Sequence, residues 1–162
     1  RMVSNFQTFN VSSIHFLLSY YPLQERKEFD VTICETIVRE NSPESKIAWP
    51  KMCPDNVSME AHVITDHDYF VKNKYNILEP VGGTAVSPDL FDMIFVPLLA
   101  FDLKGYRVGY GKGYYDRYLV KCRPDAVKLS FSFFDAIERI DDINEFDVPL
   151  NYCITPMRIY EF

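Results

Sequence analysis

The chain has no long apolar run. No stretch of about 18 consecutive apolar residues occurs, so no membrane-spanning helix is expected. The opening Arg1-Met2-Val3 carries no signal-peptide pattern, and a cytoplasmic protein is expected. Cysteine is scarce and dispersed: Cys34, Cys53, Cys122 and Cys153 form no CxxC pair, which argues against a zinc site or a disulfide framework and for small reduced thiols. The three histidines, His15, His62 and His67, share no metal-ligand spacing; His15 reads as a strand residue and the other two as surface residues. No Ser-His-Asp or Cys-His arrangement stands out. Positive charge is in deficit, with a net charge of -6, so nucleic-acid binding is not expected and a small anion would need local cations. Internal repeats and low-complexity linkers are absent. What remains is 162 residues, 48% hydrophobic and 15% aromatic, which fits one domain with a substantial core.

Several segments have a readable form. Ile14–Tyr21 (IHFLLSYY), Ile47–Met52 and Asp92–Ala100 (DMIFVPLLA) read as strands, the last as the strongest buried one. Asp30 is placed to cap a helix through Arg39, with Val31, Cys34, Ile37 and Val38 on one face. Pro22–Lys27 reads as a polar loop, Met59–Ile64 as a strand, Asp66–Lys74 as a turn of helix and Glu79–Asp89 as a loop. Pro50 marks an edge or exit of its strand. Tyr114–Lys121 has helical spacing, and Val127–Phe133 and Tyr152–Thr155 are strand-like. Ile137–Asp147 reads as helix turn mixed with loop. Strands alternating with helices predict an α/β fold with a mostly parallel sheet.

Glycine is also scarce, and its placement carries information. Of six glycines, Gly109, Gly111 and Gly113 fall in YRVGYGKGYYDRYL (Tyr106–Leu119), with Gly105 just before it. The segment follows the strongest strand signal and precedes a helix, which is where open α/β sheets bind ligands. Glycines there let backbone N–H groups close on phosphate oxygens. Arg107 and Lys112 add positive charge, and Asp116 could cap the helix or hold Mg2+ against phosphates. Neither GxxxxGK[ST] nor GxGxxG is present, so spacing alone leaves a tight strand-to-helix turn as an equal reading.

The longer string Pro97–Leu119, PLLAFDLKGYRVGYGKGYYDRYL, resembles the signature P-x-x-x-F-D-x-x-G-x-R-[LV]-G-x-G-x-G-Y-Y-D-R-[YF]-L of the 5-formyltetrahydrofolate cyclo-ligase family. Similarity extends to Ile77–Pro80 (ILEP), to YYPLQERKEFDVT with extra residues before Glu28, to Trp49–Lys51 and to Asn144–Asn151. The resemblance implies a single-domain, three-layer α/β/α fold with a mostly parallel mixed sheet. It implies ATP- and Mg2+-dependent closure of 5-formyltetrahydrofolate to 5,10-methenyltetrahydrofolate by a monomer or weak homodimer, with small-molecule substrates and no nucleic-acid or membrane partner. Carried over residue by residue, Arg107, Val108, Gly109, Tyr110, Gly111, Lys112, Gly113, Tyr114 and Tyr115 would hold the nucleotide, with Arg107 and Lys112 catalytic. Glu28 and Tyr21, together with Tyr110 to Tyr114, would contact the folate, and Asp116 and Asp147 would ligate Mg2+.

The chain also departs from that pattern. The family's early K-x-x-[LI]-R helix has no counterpart, and Arg1–Phe9 resembles the end of its second helix, so an incomplete N-terminal segment is expected. Ala136, Phe146 and Asn151 stand where the family has glutamine, histidine and aspartate. These differences keep two other readings open. One is a folate- or nucleotide-binding homologue without turnover, and the other is a different small-molecule kinase or ligase using the same loop.

Overall fold

A strand buried on both faces reads as an unbroken apolar run, because successive side chains point to opposite sides. The centre of this molecule is built that way. The computed structural model describes residues 1–23, 28–65 and 67–162. In chain order the elements are α1 (Met2–Phe6), β1 (Phe16–Leu18), α2 (Thr32–Asn41), β2 (Lys46–Met52), β3 (Met59–Val63), β4 (Tyr69–Lys72), β5 (Leu78–Val81) and β6 (Thr84–Val86). A 3-10 turn at Pro88–Leu90 leads to β7 (Met93–Phe95), β8 (Ala100–Phe101), β9 (Arg107–Val108), α3 (Tyr114–Leu119), β10 (Val127–Phe131), β11 (Tyr152–Ile154) and β12 (Ile159–Glu161).

The main sheet has the order β12-β11-β10-β7-β1-β2-β3-β6. Strands β11, β10, β7, β1 and β2 pair in parallel, while β12, β3 and β6 join antiparallel at the edges. Taken alone, the parallel strands follow the order 2-1-3-4-5, so the winding reverses between β1 and β7. Ribbons β4–β5 and β8–β9 stand outside this sheet.

Alternation assigns each core residue its side. Leu17, Ile47, Trp49, Met93, Phe95, Leu129, Phe131 and Ile154 face Phe6 of α1 and Cys34, Ile37 and Val38 of α2. Their neighbours Leu18, Ala48, Ile94, Val96 and Cys153 face Tyr118 and Leu119 of α3. The result is the expected three-layer α/β/α arrangement with a mostly parallel mixed sheet. Among the described residues no helix is long and apolar enough to cross a membrane, and all four cysteines are free thiols.

Helix α2 begins where Asp30 accepts the Thr32 N–H (3.0 Å) and hydroxyl (2.6 Å). Its buried face also contains Glu35, which periodicity did not place inside. Burial pushes its carboxyl above the ordinary value, against the Ser19 hydroxyl that donates to it. Pro50 lies beyond the last β1 partner of β2, Ala48, so its missing N–H costs no ladder bond on that side.

Three segments differ from the sequence reading. Tyr69–Lys72 and Leu78–Val81 pair as a ribbon, and Thr84–Val86 adds to the sheet edge. The helix turn and loop expected there gave way to cross-strand partners that the local sequence does not show. Asp66, and residues 24–27 of the expected polar loop, lie outside the described residues. Ile137–Asp147 contains no helix. His62 is buried, its ring between the Gly82 carbonyl and the Glu60 carboxylate, and His15 precedes β1 at the surface.

Asp92 enters β7 and joins three parts of the chain. Its carboxylate accepts the N–H groups of His15 (2.7 Å) and Phe16 (2.9 Å) and pairs with Arg123. Burial alone would raise this carboxyl, but those donors outweigh it and hold it below the usual range. A depressed folded pKa contributes stability above the unfolded carboxylate value, and that contribution fades as pH falls through the folded one. Asp92→Asn is therefore expected to cost about 1.5–3 kcal/mol at neutral pH, the scale of hydrogen bonds to a charged group. Urea midpoints at about pH 7 and about pH 2 should show the gap to the parent shrinking on acidification. An equal gap at both would rule out the charge as its source.

Candidate functional site

The winding reversal leaves a crevice at the carboxyl ends of β1 and β7, and a cleft of about 550 Å³ occupies that place. Its size falls within the roughly 300–1,000 Å³ usual for small-molecule sites. Tyr20 and Tyr21 enter from the end of β1, Pro50 and Met52 from the end of β2, and Pro97 follows β7. Every residue singled out from the sequence lines this one cleft: Tyr21, Glu28, the whole run Arg107–Tyr115, Asp116 and Asp147.

The glycine loop is presented by the β8–β9 hairpin, and Asp102 shapes it. This buried carboxylate accepts the N–H groups of Lys104 (2.9 Å), Tyr106 (3.0 Å) and Ile140 (3.1 Å), which ties the hairpin to the acidic 140s loop. Beyond the hairpin, Gly111 (φ +79) and Gly113 (φ +65) adopt left-handed backbone, which L side chains take only with strain. Among the described residues, the N–H groups of Gly109, Gly111, Lys112 and Gly113 donate no hydrogen bond. They form a run of backbone donors on the cleft wall, the arrangement that suits an anion. Helix α3 has six residues, so few peptide dipoles align behind the loop, and the loop's own donors matter more. Lys112 Nζ lies 5.6 Å from the Tyr75 ring centre and has no carboxylate partner among the described residues. Arg117 anchors the loop from outside, donating to the carbonyls of Lys112 (2.6 Å) and Val57 (2.8 Å).

The acidic side is assembled from two distant segments. Gly113, not Asp116, occupies the cap of α3. Asp116 Oδ1 accepts the Arg107 guanidinium (2.9 Å) and the Val148 N–H (3.1 Å). Asp147 Oδ2 accepts the Asn144 N–H (2.8 Å) and closes a turn. The second oxygen of each carboxylate makes no hydrogen bond among the described residues. Those residues contain no group of three or more His, Cys, Asp or Glu side chains able to hold a metal. Two hard carboxylates facing a phosphate-binding loop are still the donor set that Mg2+ takes, because it fills its other positions with water and phosphate oxygens. The three departures from the family pattern sit elsewhere. Asn151 accepts the Lys128 N–H (2.9 Å) between strands, Phe146 is exposed and Ala136 packs beside the second core cluster.

Opposite the loop, Glu28 accepts the Leu23 N–H (2.6 Å) and the Tyr110 hydroxyl, so one bond spans the cleft. Tyr21 packs against Trp49 and Phe70, and its phenol is pushed up to about 12 by burial and by Glu35. Sequence reading missed Tyr20. Its phenol is raised by burial and then by Glu28, Tyr115 and Tyr110, which gathers three phenols around one carboxylate. Burial likewise raises Tyr115, whose hydroxyl is buried without a hydrogen-bond partner among the described residues. The wall from Asn73 to Glu79 was also missed: Glu79 Oε1 accepts the Met52 N–H (2.9 Å) and the Asn73 amide (2.8 Å). Tyr20 had a signal, its place beside Tyr21 at a strand exit, whereas the Asn73 wall had none.

The 5-formyltetrahydrofolate cyclo-ligase family model matches residues 28–156. A 5-formyltetrahydrofolate cyclo-ligase from Mycoplasma genitalium is 36% identical over 73 residues, covering 44% of this chain and 44% of the relative. Another from Mus musculus is 47% identical over 70 residues, covering 37% and 34%. The chain therefore aligns with less than half the length of these curated relatives. The NMR structure of Aquifex aeolicus 5,10-methenyltetrahydrofolate synthetase superposes with a TM-score of 0.76 at 29% identity, over 99% of this chain and 78% of that one.

Proposed function

The chain belongs to the 5-formyltetrahydrofolate cyclo-ligase family, and from that premise we propose that it uses ATP to close 5-formyltetrahydrofolate to 5,10-methenyltetrahydrofolate, releasing ADP and phosphate. The observation that carries this reading is the single cleft. It sets a run of unengaged loop N–H groups and the Lys112 ammonium opposite the Glu28 carboxylate.

The chemistry explains why both walls are needed. The N5-formyl oxygen is a poor leaving group. Phosphorylation of that oxygen makes it a good one, N10 then attacks the formyl carbon, and phosphate departs. N10 is tethered nearby, so the protein's main task is positioning. Loop residues Val108 to Tyr115 would cradle the phosphates, with Lys112 as a point charge at the transferred group. Glu28 would accept hydrogen bonds from the amino and ring N–H groups of the pterin, in place of the Tyr110 hydroxyl it now holds. Tyr21, stacked among Trp49 and Phe70, would form an apolar wall for the ring. Asp116 and Asp147 would hold Mg2+, which when bound supplies positive charge to the phosphate oxygens. No protein nucleophile is required, consistent with the lack of a triad.

The chain incubated with 5-formyltetrahydrofolate, ATP and Mg2+ should generate the absorbance of the methenyl product, and omission of ATP should abolish it. Tight folate binding with a flat trace would replace this reading with that of a binding homologue.

A further inference from the structure

Asp116 and Asp147 can share one ion only if the start of α3 and the 140s loop are held at a constant separation. We infer that Arg107 is the positioning residue that sets this separation, rather than a ligand of the nucleotide phosphates. The inference rests on the preceding reading, in which those two carboxylates hold a divalent ion.

Arg107 touches both segments. One terminal nitrogen donates to Asp116 Oδ1 at 2.9 Å and the other to the Val148 carbonyl at 2.7 Å. Val148 closes the circuit by donating its own N–H to the same Asp116 oxygen at 3.1 Å. Asp147 directly precedes Val148, so this triangle fixes the backbone that carries the second carboxylate. The planar guanidinium fork can serve two acceptors in set directions, which a lysine ammonium cannot reproduce. The Arg107 side chain is only 5% exposed, so little of its charge faces an incoming phosphate. Its backbone is held in turn, because Arg107 pairs with Phe101 across the hairpin. Lys112, without a carboxylate partner among the described residues, is the cation left for the phosphates. The engaged Asp116 oxygen faces Arg107, which leaves the second oxygen of the carboxylate for the ion.

The test uses the full chain with ADP and Mn2+ as the probe, read by electron paramagnetic resonance, beside ATP binding measured in excess chelator. Arg107→Lys and Arg107→Met are expected to weaken Mn2+ binding about tenfold or more, the scale for losing a residue that orients a metal ligand. Metal-free ATP binding should stay within about twofold, and Lys112→Met should show the reverse pattern. Arg107→Lys retains the positive charge beside Asp116, so it reports even if Arg107→Met fails to fold. A loss of metal-free ATP affinity in Arg107→Lys, with Mn2+ affinity unchanged, would make Arg107 a phosphate ligand and overturn the inference. Failure of the parent chain to bind Mn2+ would refute the two-carboxylate reading itself, an outcome separate from a parent and a variant that bind it equally.

Discussion

Asp116→Ala should lower turnover by about 10²–10³-fold, the loss measured when one preorganised electrostatic partner is removed from a reacting centre. It should also destabilise the chain by about 3–5 kcal/mol, because removing one member of a buried pair leaves the other charge unpaired. That stranded charge is Arg107, whose side chain is 5% exposed against 22% for Asp116. Asp116→Asn separates the two effects. An amide oxygen can still accept from the Val148 N–H and the Arg107 guanidinium, so the fold keeps most of its circuit. It offers no negative charge to a cation, so turnover should stay near the alanine level. Urea unfolding beside an initial-rate assay checks both. Asn turnover close to the parent would show that Asp116 is a fold residue and not a metal ligand.

Gly111→Ala should cost about 1–2 kcal/mol, the left-handed penalty for an L residue at φ +79. A Cβ at this position meets nothing within 4 Å, so no packing change contributes. Relief of that strain would turn the loop N–H groups away from the cleft, and ATP affinity should fall at least about tenfold, about 1.4 kcal/mol on the binding scale. Gly109 is the internal control. Its φ is not positive, and a Cβ there also meets open space. Gly109→Ala should leave stability within about 0.5 kcal/mol. Thermal unfolding and equilibrium ATP binding on both variants separate backbone strain from a steric role. Equal stability losses at the two positions would reject the left-handed argument.

Together the two expectations divide the cleft into two halves. The loop half depends on backbone angles, and its residues are contiguous. The acidic half depends on a hydrogen-bonded circuit among Arg107, Asp116 and Val148, assembled across sequence distance. The first should respond to glycine substitution with small stability changes. The second should respond to charge removal with large ones.

The sequence by itself determined the elements whose information is local. The apolar run at Met93–Phe95 and the pair Leu17–Leu18 declared strands buried on both faces, since alternation needs nothing beyond neighbouring residues. The glycines at 111 and 113 announced a loop that L residues cannot trace. The long string from Pro97 to Leu119 carried the family, and with it the cleft-lining residues. Tertiary structure alone decided the rest. Strand Tyr69–Lys72 exists because Leu78–Val81 pairs with it, and His62 is buried because the Gly82 carbonyl and Glu60 close over it. The order 2-1-3-4-5 puts the exit of β1, and with it Tyr20 and Glu28, beside a glycine loop some eighty residues later, and lets Tyr110 reach Glu28. Backbone angle and alternation are properties of a few adjacent residues. The meeting of Arg107, Asp116 and Val148 is set by how loops close around a sheet, which no local pattern records.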